Sequence, residues 1–113
     1  MSTTVGNQAE TEAAKHLEAL GYKIIDRNWK TRVCEIDIIA QKSKTIYFVE
    51  VKYRSSSNQG SGIEYITPKK LDQMKFAAEC WVLEKRWRQQ YDLAAIEVSG
   101  QNFTVTNFLL NIL

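Results

Sequence analysis

The chain is poor in the residues that most often declare a chemistry: one histidine, two cysteines and one proline in 113 residues. Cys34 and Cys80 are far apart and form no Cys-x-x-Cys pair, and with only His16 to join them they argue against a zinc site. A Ser-His-Asp or Cys-His hydrolase would have to use that same His16. It sits at the edge of a helical apolar stripe and reads as a partly buried helix residue. No apolar run approaches the roughly 18 residues of a spanning helix. The start, Met1 to Gly6, has neither the basic nor the apolar region of a secretion signal. The expectation is a soluble, cytoplasmic chain whose two thiols are reduced and structural. An excess of one charge is also missing, since 15 Lys+Arg against 13 Asp+Glu give +2. That total does not announce a nucleic-acid binder, although it allows a local basic patch.

What is present is a globular balance, 44% hydrophobic and 25% charged, in a length that fits one domain over residues 1–113. Such a chain can bury a core without metal or disulfide staples. Any chemistry must come from carboxylates, lysines and hydroxyls.

The pattern is helical from Asn7 to Leu20, where Ala9, Ala13, Leu17 and Leu20 recur at helical spacing and Gly21 supplies the stop. Tyr22–Trp29 alternates loosely as a strand, and Val33–Ala40 and Thr45–Tyr53 are clearer ones. The polar turn Gln41–Lys44 should pair these last two antiparallel. A serine- and glycine-rich segment, about 54–64, reads as a flexible internal loop. Thr67-Pro68 then offers an N-cap and a proline for the first turn of a helix reaching about Trp87, with Leu71, Met74, Ala78 and Trp81 on its buried stripe. Tyr91–Val98 is a largely apolar strand, of the kind covered on both faces. Asn102–Thr106 suits one more strand, and the apolar tail from Phe108 must dock somewhere. The order α-β-β-β-α-β implies an α/β fold on a mixed sheet, the crossover helix making the third and fourth strands parallel.

Residues two apart on a strand share a face. Glu35 and Asp37 therefore point one way, and Glu50 and Lys52 share a face with Ile46 and Phe48. On the first helix Glu10 lies inside the apolar stripe with Ala13, Ala14 and Leu17, whereas Glu12 and Glu18 fall outside it. Burying an uncompensated carboxylate costs several kcal/mol, so these acids need partners or a metal. One reading is a set of strand-edge salt bridges, such as Lys52 with Glu50 or Asp37. The other is a cluster of hard oxygen ligands for a divalent cation, with a lysine acting on a phosphate or on the attacking water.

Glu35-Ile36-Asp37, then twelve residues, then Glu50-Val51-Lys52 resembles the PD-(D/E)XK nuclease superfamily. The wider set is more specific: Gly6-Asn7-Gln8-Ala9-Glu10, Leu20-Gly21-Tyr22, Asn28-Trp29, Cys34 to Ala40, Phe48 to Arg54, Ile66 to Lys70, and Tyr91-Asp92-Leu93. Together, over roughly Gly6 to Val98, these resemble the YraN-type family of small bacterial proteins with a Holliday-junction-resolvase-like fold. Two positions depart from the family pattern, Ala9 and Cys34, each where glycine is usual. Neither removes a candidate ligand, and alternation would point Cys34 away from Glu35 and Asp37.

The resemblance implies a restriction-endonuclease-like three-layer core and a nuclease hydrolysing phosphodiester bonds in DNA, branched or structured forms among them. It implies that Asp37, Glu50 and the Val51 carbonyl bind Mg²⁺, with Mn²⁺ as a substitute. It casts Lys52 as the group that orients the water and Glu10 as the completion of the acidic cluster. Glu35 is a further candidate, and Asp92 matches the family motif but suits a structural role equally.

Basic residues gather in Arg27–Arg32, Lys52–Arg54, Lys69-Lys70 and Lys85–Arg88. The first three could ring the carboxylates, and Arg32, Arg54, Lys69 and Lys70 are the candidate phosphate contacts. Lys85–Arg88 suits a solvated helix end. Nucleic acid, DNA before RNA, is the expected partner, with no membrane and no small-molecule cofactor. Two other readings are a nucleic-acid-binding protein that keeps the nuclease fold without turnover, and a homodimer joined through the apolar tail.

Overall fold

A computed structural model of the chain describes residues 4–55 and 66–112, so most of the expected flexible loop lies outside the described residues. The elements are α1 (Thr4–Ala19), β1 (Lys23–Lys30), β2 (Glu35–Lys42), β3 (Thr45–Arg54), α2 (Pro68–Lys85), β4 (Gln90–Ser99) and β5 (Thr104–Leu109). The five strands form one mixed sheet in chain order. Only β3 and β4, joined through α2, run parallel, and the other neighbours are antiparallel.

The strand period sorts the core into two layers of side chains. Tyr47, Val49, Val51 and Tyr53 of β3, with Ala94, Ile96 and Val98 of β4, meet Ala9, Ala13, Ala14 and Leu17 of α1. Ile46 and Phe48, with Leu93, meet Met74, Ala77, Ala78 and Trp81 of α2. The result is a three-layer α/β/α core with a double-faced sheet, which is why β3 and β4 read as near-continuous apolar runs. Phe48 and Trp81 lock edge to face at 5.4 Å, an arrangement worth about 1 kcal/mol beyond the area buried.

The ends of α2 follow from local chemistry. Thr67 Oγ1 accepts from the Lys70 N–H at 3.1 Å, Pro68 opens the helix, and Arg86 closes it in the left-handed conformation. The helix therefore stops before Trp87, whose Nε1–H donates to the Gln90 carbonyl at 2.9 Å.

Several expectations shift. Leu20 is not core but 45% exposed, because α1 ends at Ala19 and the chain turns at Gly21. The loose alternation of β1 is a register shift between Ile24 and Asp26 that leaves Ile25 exposed. The last strand is displaced towards the tail, running to Leu109. Beyond it Leu110 packs on the α1-side core and Ile112 on the α2-side core, so the tail docks on its own chain. Among the described residues no helix is long and apolar enough to cross a membrane.

Candidate functional site

The β2–β3 hairpin is zipped at its turn and open at its other end. Ser43 adopts a left-handed backbone, and pairing runs from Lys42 opposite Thr45 to Ile38 opposite Val49. One further step of this register would set Asp37 opposite Glu50, but there the ladder stops. The Asp37 carboxylate replaces the missing backbone acceptor instead, taking the Val51 N–H on Oδ2 at 2.9 Å. Two acids thus face each other where two strands part.

Each group around the pair comes from a different element. Lys70, in the first turn of α2, places Nζ 3.1 Å from Glu50 Oε2. Glu10 approaches from α1, its side chain only 12% exposed. Asn28 hydrogen-bonds its carboxylate, while Arg27 stands 3.9 Å from Oε1 and donates to Thr11 Oγ1 at 3.1 Å. Oε1 is buried and without a hydrogen bond among the described residues. Glu35 is exposed, with Lys30 loosely placed at 4.0 Å.

Desolvation and crowding act in one direction here. Burial and the Asp37 charge push the Glu50 carboxyl from its ordinary 4.5 up to about 7, in spite of Lys70. Burial raises Asp37 too, with the Val51 N–H and Lys70 pulling the other way. Glu10 is raised by burial and then by the Asp37 charge. A low-dielectric site disfavours neighbouring carboxylates that are all ionised. One proton held between Asp37 and Glu50 relieves the repulsion, and so would a divalent cation.

The donor set fits a hard cation in kind: two opposed carboxylates, with a third that carries an orphaned buried oxygen. Among the described residues no group of three or more His, Cys, Asp or Glu is gathered closely enough to hold an ion by itself.

An open groove of about 900 Å³ lies beside Glu50, between the turn before β2 and the first half of α2. Lys30, Lys69 and Lys70 line it along with Glu35, and Val33 and Phe76 add exposed apolar side chains. Lys69 and Arg32 are exposed, and Lys52 is exposed two residues along β3 from Glu50.

Arg54 departs from expectation. Its side chain is 2% exposed, with Nε 3.0 Å from Glu97 Oε2 on β4, so it is a buried ion-pair member and is not presented to a phosphate. Glu97 in turn accepts from Thr106 Oγ1 at 2.7 Å and Asn107 Nδ2 at 2.9 Å. The signal available in the sequence was Glu97 itself, an acid inside an apolar strand that needed a buried cation.

Cys34 also departs. It precedes β2 in a turn held by Thr31, where strand alternation does not apply, and it lines the groove together with Glu35 and Glu50. Asp92 accepts from the adjacent Leu93 N–H at 2.7 Å and lies opposite Tyr47, away from the pair. Lys85–Arg88 lie at the opposite end of α2 from Lys70. Arg27 and Asn28 belong to the basic run expected to ring the carboxylates, but their approach to Glu10 was not legible, because only the fold brings β1 to α1.

Fold and site together define a small α/β/α protein with an acidic pair at the parted end of its central hairpin. The chain belongs to the uncharacterised protein family UPF0102, the YraN-type family its motifs resemble, and the family model matches residues 9–96. That range takes in Glu10, Asp37, Glu50, Lys52 and Lys70. A UPF0102 protein of Sulfurihydrogenibium sp. is 46% identical over 108 residues, 93% of each chain. One from Vibrio parahaemolyticus is 37% identical over 102 residues, 87% of this chain and 84% of its own. One from Flavobacterium johnsoniae is 36% identical over 107 residues, 89% and 87%.

Proposed function

We propose that this protein is a Mg²⁺-dependent nuclease that hydrolyses phosphodiester bonds in DNA, with branched or structured DNA as the substrate class. The observation that carries the reading is the opposition of Asp37 and Glu50 at the point where β2 and β3 part, beside an open groove with lysines on both walls. A cation bound there would polarise the scissile phosphate and lower the pKa of a bound water.

In this reading the chain's own groups have separate tasks. Asp37, oriented by the Val51 N–H, and Glu50 hold the cation, with the Val51 carbonyl as a further ligand. Lys52 orients the attacking water and offsets charge on the phosphate. Glu10 completes the acidic cluster from the α1 side. Lys69, Lys70 and Arg32 attract the phosphate backbone, which gives affinity without reading sequence. Lys70 has a double part, since it neutralises Glu50 at 3.1 Å and would turn to a phosphate if Glu50 held a cation.

One observation favours a second reading. The 3.1 Å ion pair of Lys70 with Glu50 satisfies a carboxylate that the nuclease would need free. A nucleic-acid-binding protein that keeps the fold without turnover would retain that pair.

Incubating the full chain with duplex, single-stranded and four-way-junction DNA in Mg²⁺ or Mn²⁺ separates the two. Cleavage that is lost in Asp37→Ala and Glu50→Ala supports the nuclease. Binding to every substrate without cleavage, unchanged by either substitution, supports the binder and rejects the enzyme.

A further inference from the structure

Each wall of the groove beside Glu50 holds one large apolar side chain out in water. Phe76 on α2 is 49% exposed, and Val33, in the turn before β2, is 73% exposed. Among the described residues Phe76 joins neither layer of the core, so core packing does not account for its ring. It shares a face of α2 with Lys69 and Gln73, which precede it by seven and three residues and line the same groove. A cation, an amide and an aromatic ring therefore follow one another along that wall.

The charges narrow what can lie there. Lys30, Lys69 and Lys70 share the groove with Glu35, Glu50 and Asp72. Lys70 is held 3.1 Å from Glu50, and Lys30 stands 4.0 Å from Glu35. Lysines mixed with acids in this way are not the continuous basic surface that draws its affinity from the phosphates of a duplex. Affinity must then come in part from the bases. A base offers its face to a side chain only where it is unpaired and unstacked.

We propose that Phe76 is a stacking platform for an unpaired base, with Val33 closing on the base from the opposite wall, so that the groove takes a single-stranded segment of DNA. Lys69 meets the phosphate of that segment. Gln73, whose amide both donates and accepts, meets a base edge of either polarity, so the site selects unpaired nucleotides and not a sequence. This rests on the nuclease reading of the same groove and narrows its substrate class. The bond presented to Asp37 and Glu50 would lie in or beside an unpaired stretch, such as a flap or a single-stranded gap.

The test measures binding of the full chain, in EDTA and again with Ca²⁺, to a single-stranded oligonucleotide, to the duplex of the same sequence, and to the same strand made abasic. Phe76→Ala and Phe76→Leu should each weaken binding of the intact strand by roughly tenfold, and Phe76→Trp should preserve it. All three should leave the duplex and the abasic strand within about twofold, whereas Lys69→Ala should weaken the intact and abasic strands alike. Phe76→Leu keeps the apolar bulk at a half-exposed position, so its loss reports the ring and not the fold. The stacking site is overturned if the single strand does not bind, if its binding ignores Phe76→Ala and Phe76→Leu, or if the intact and abasic strands lose equally. Mg²⁺-dependent cleavage that disappears in Asp37→Ala reports on the nuclease reading separately, since it can persist when the Phe76 variants bind like the wild type.

Discussion

Two pairs of charged side chains each take one member from β3, Glu50 and Arg54, four residues apart, and they are built on opposite terms. Arg54 and Glu97 are opposite charges, almost completely buried, and Thr106 and Asn107 both donate to Oε1 of the acid while Oε2 faces Arg54 Nε at 3.0 Å. Asp37 and Glu50 are like charges, Glu50 lines the groove, and its carboxyl is displaced to about 7. The first pair is compensated within the chain. The second is offset by the Val51 N–H that donates to Asp37 and by Lys70, borrowed from α2 for Glu50. Buried charges that the fold satisfies fix structure, whereas those it leaves in tension are the candidates for a binding site.

The largest effect should come from breaking the satisfied pair. Arg54→Met leaves Glu97 buried without its cation and should cost roughly 3–5 kcal/mol of stability, read by urea unfolding. Adding Glu97→Met should recover part of that loss. Asp37→Asn should act in the other direction. It keeps an acceptor for the Val51 N–H but removes one of the like charges, so metal-free protein at pH 8 should gain roughly 1–2 kcal/mol. A loss as large as that of Arg54→Met would erase the distinction between the two pairs.

The same tension gives a pH dependence. Because the folded-state pKa of Glu50 lies near 7 and its ordinary value is 4.5, the folded chain binds more protons than the unfolded chain between those values. Stability supplied by this group is therefore present below about 4.5 and is lost as pH rises through 7. The metal-free protein should lose roughly 2 kcal/mol across that window, and Glu50→Gln should flatten the slope. The smallest effect on stability belongs to exposed Arg32. Arg32→Ala should leave unfolding within about 0.5 kcal/mol and lower the salt slope of DNA binding by about one.

The fold was legible where physics is local. Two-residue alternation, the Thr67-Pro68 start and the polar turn before Thr45 were enough for the element order, the antiparallel hairpin and the parallel crossover. The hairpin also carried more than alternation alone. A tight turn at Ser43-Lys44 fixes the register that sets Asp37 opposite Glu50, so their opposition was implicit in the sequence.

What was not legible depends on partners distant in the chain. Arg54 read as a phosphate contact, but its partner Glu97 lies beyond the crossover helix, on β4. Lys70 read as a phosphate contact, and only the packing of α2 sets it on Glu50. Leu20 obeyed helical spacing but fell past the end of α1, where periodicity no longer governs exposure.

The central claim is that the strained acidic pair is a cation site, and calorimetric titration of the chain with Mg²⁺ and with Mn²⁺ at pH 6.5 tests it most directly. Repeating the titration in buffers of different ionisation enthalpy counts the protons exchanged. Binding should release roughly one proton, because the cation replaces the proton shared by Asp37 and Glu50, and Asp37→Asn and Glu50→Gln should each weaken binding by roughly tenfold or more. Binding that releases no proton and is indifferent to both substitutions would contradict it, as would the absence of any binding at millimolar cation.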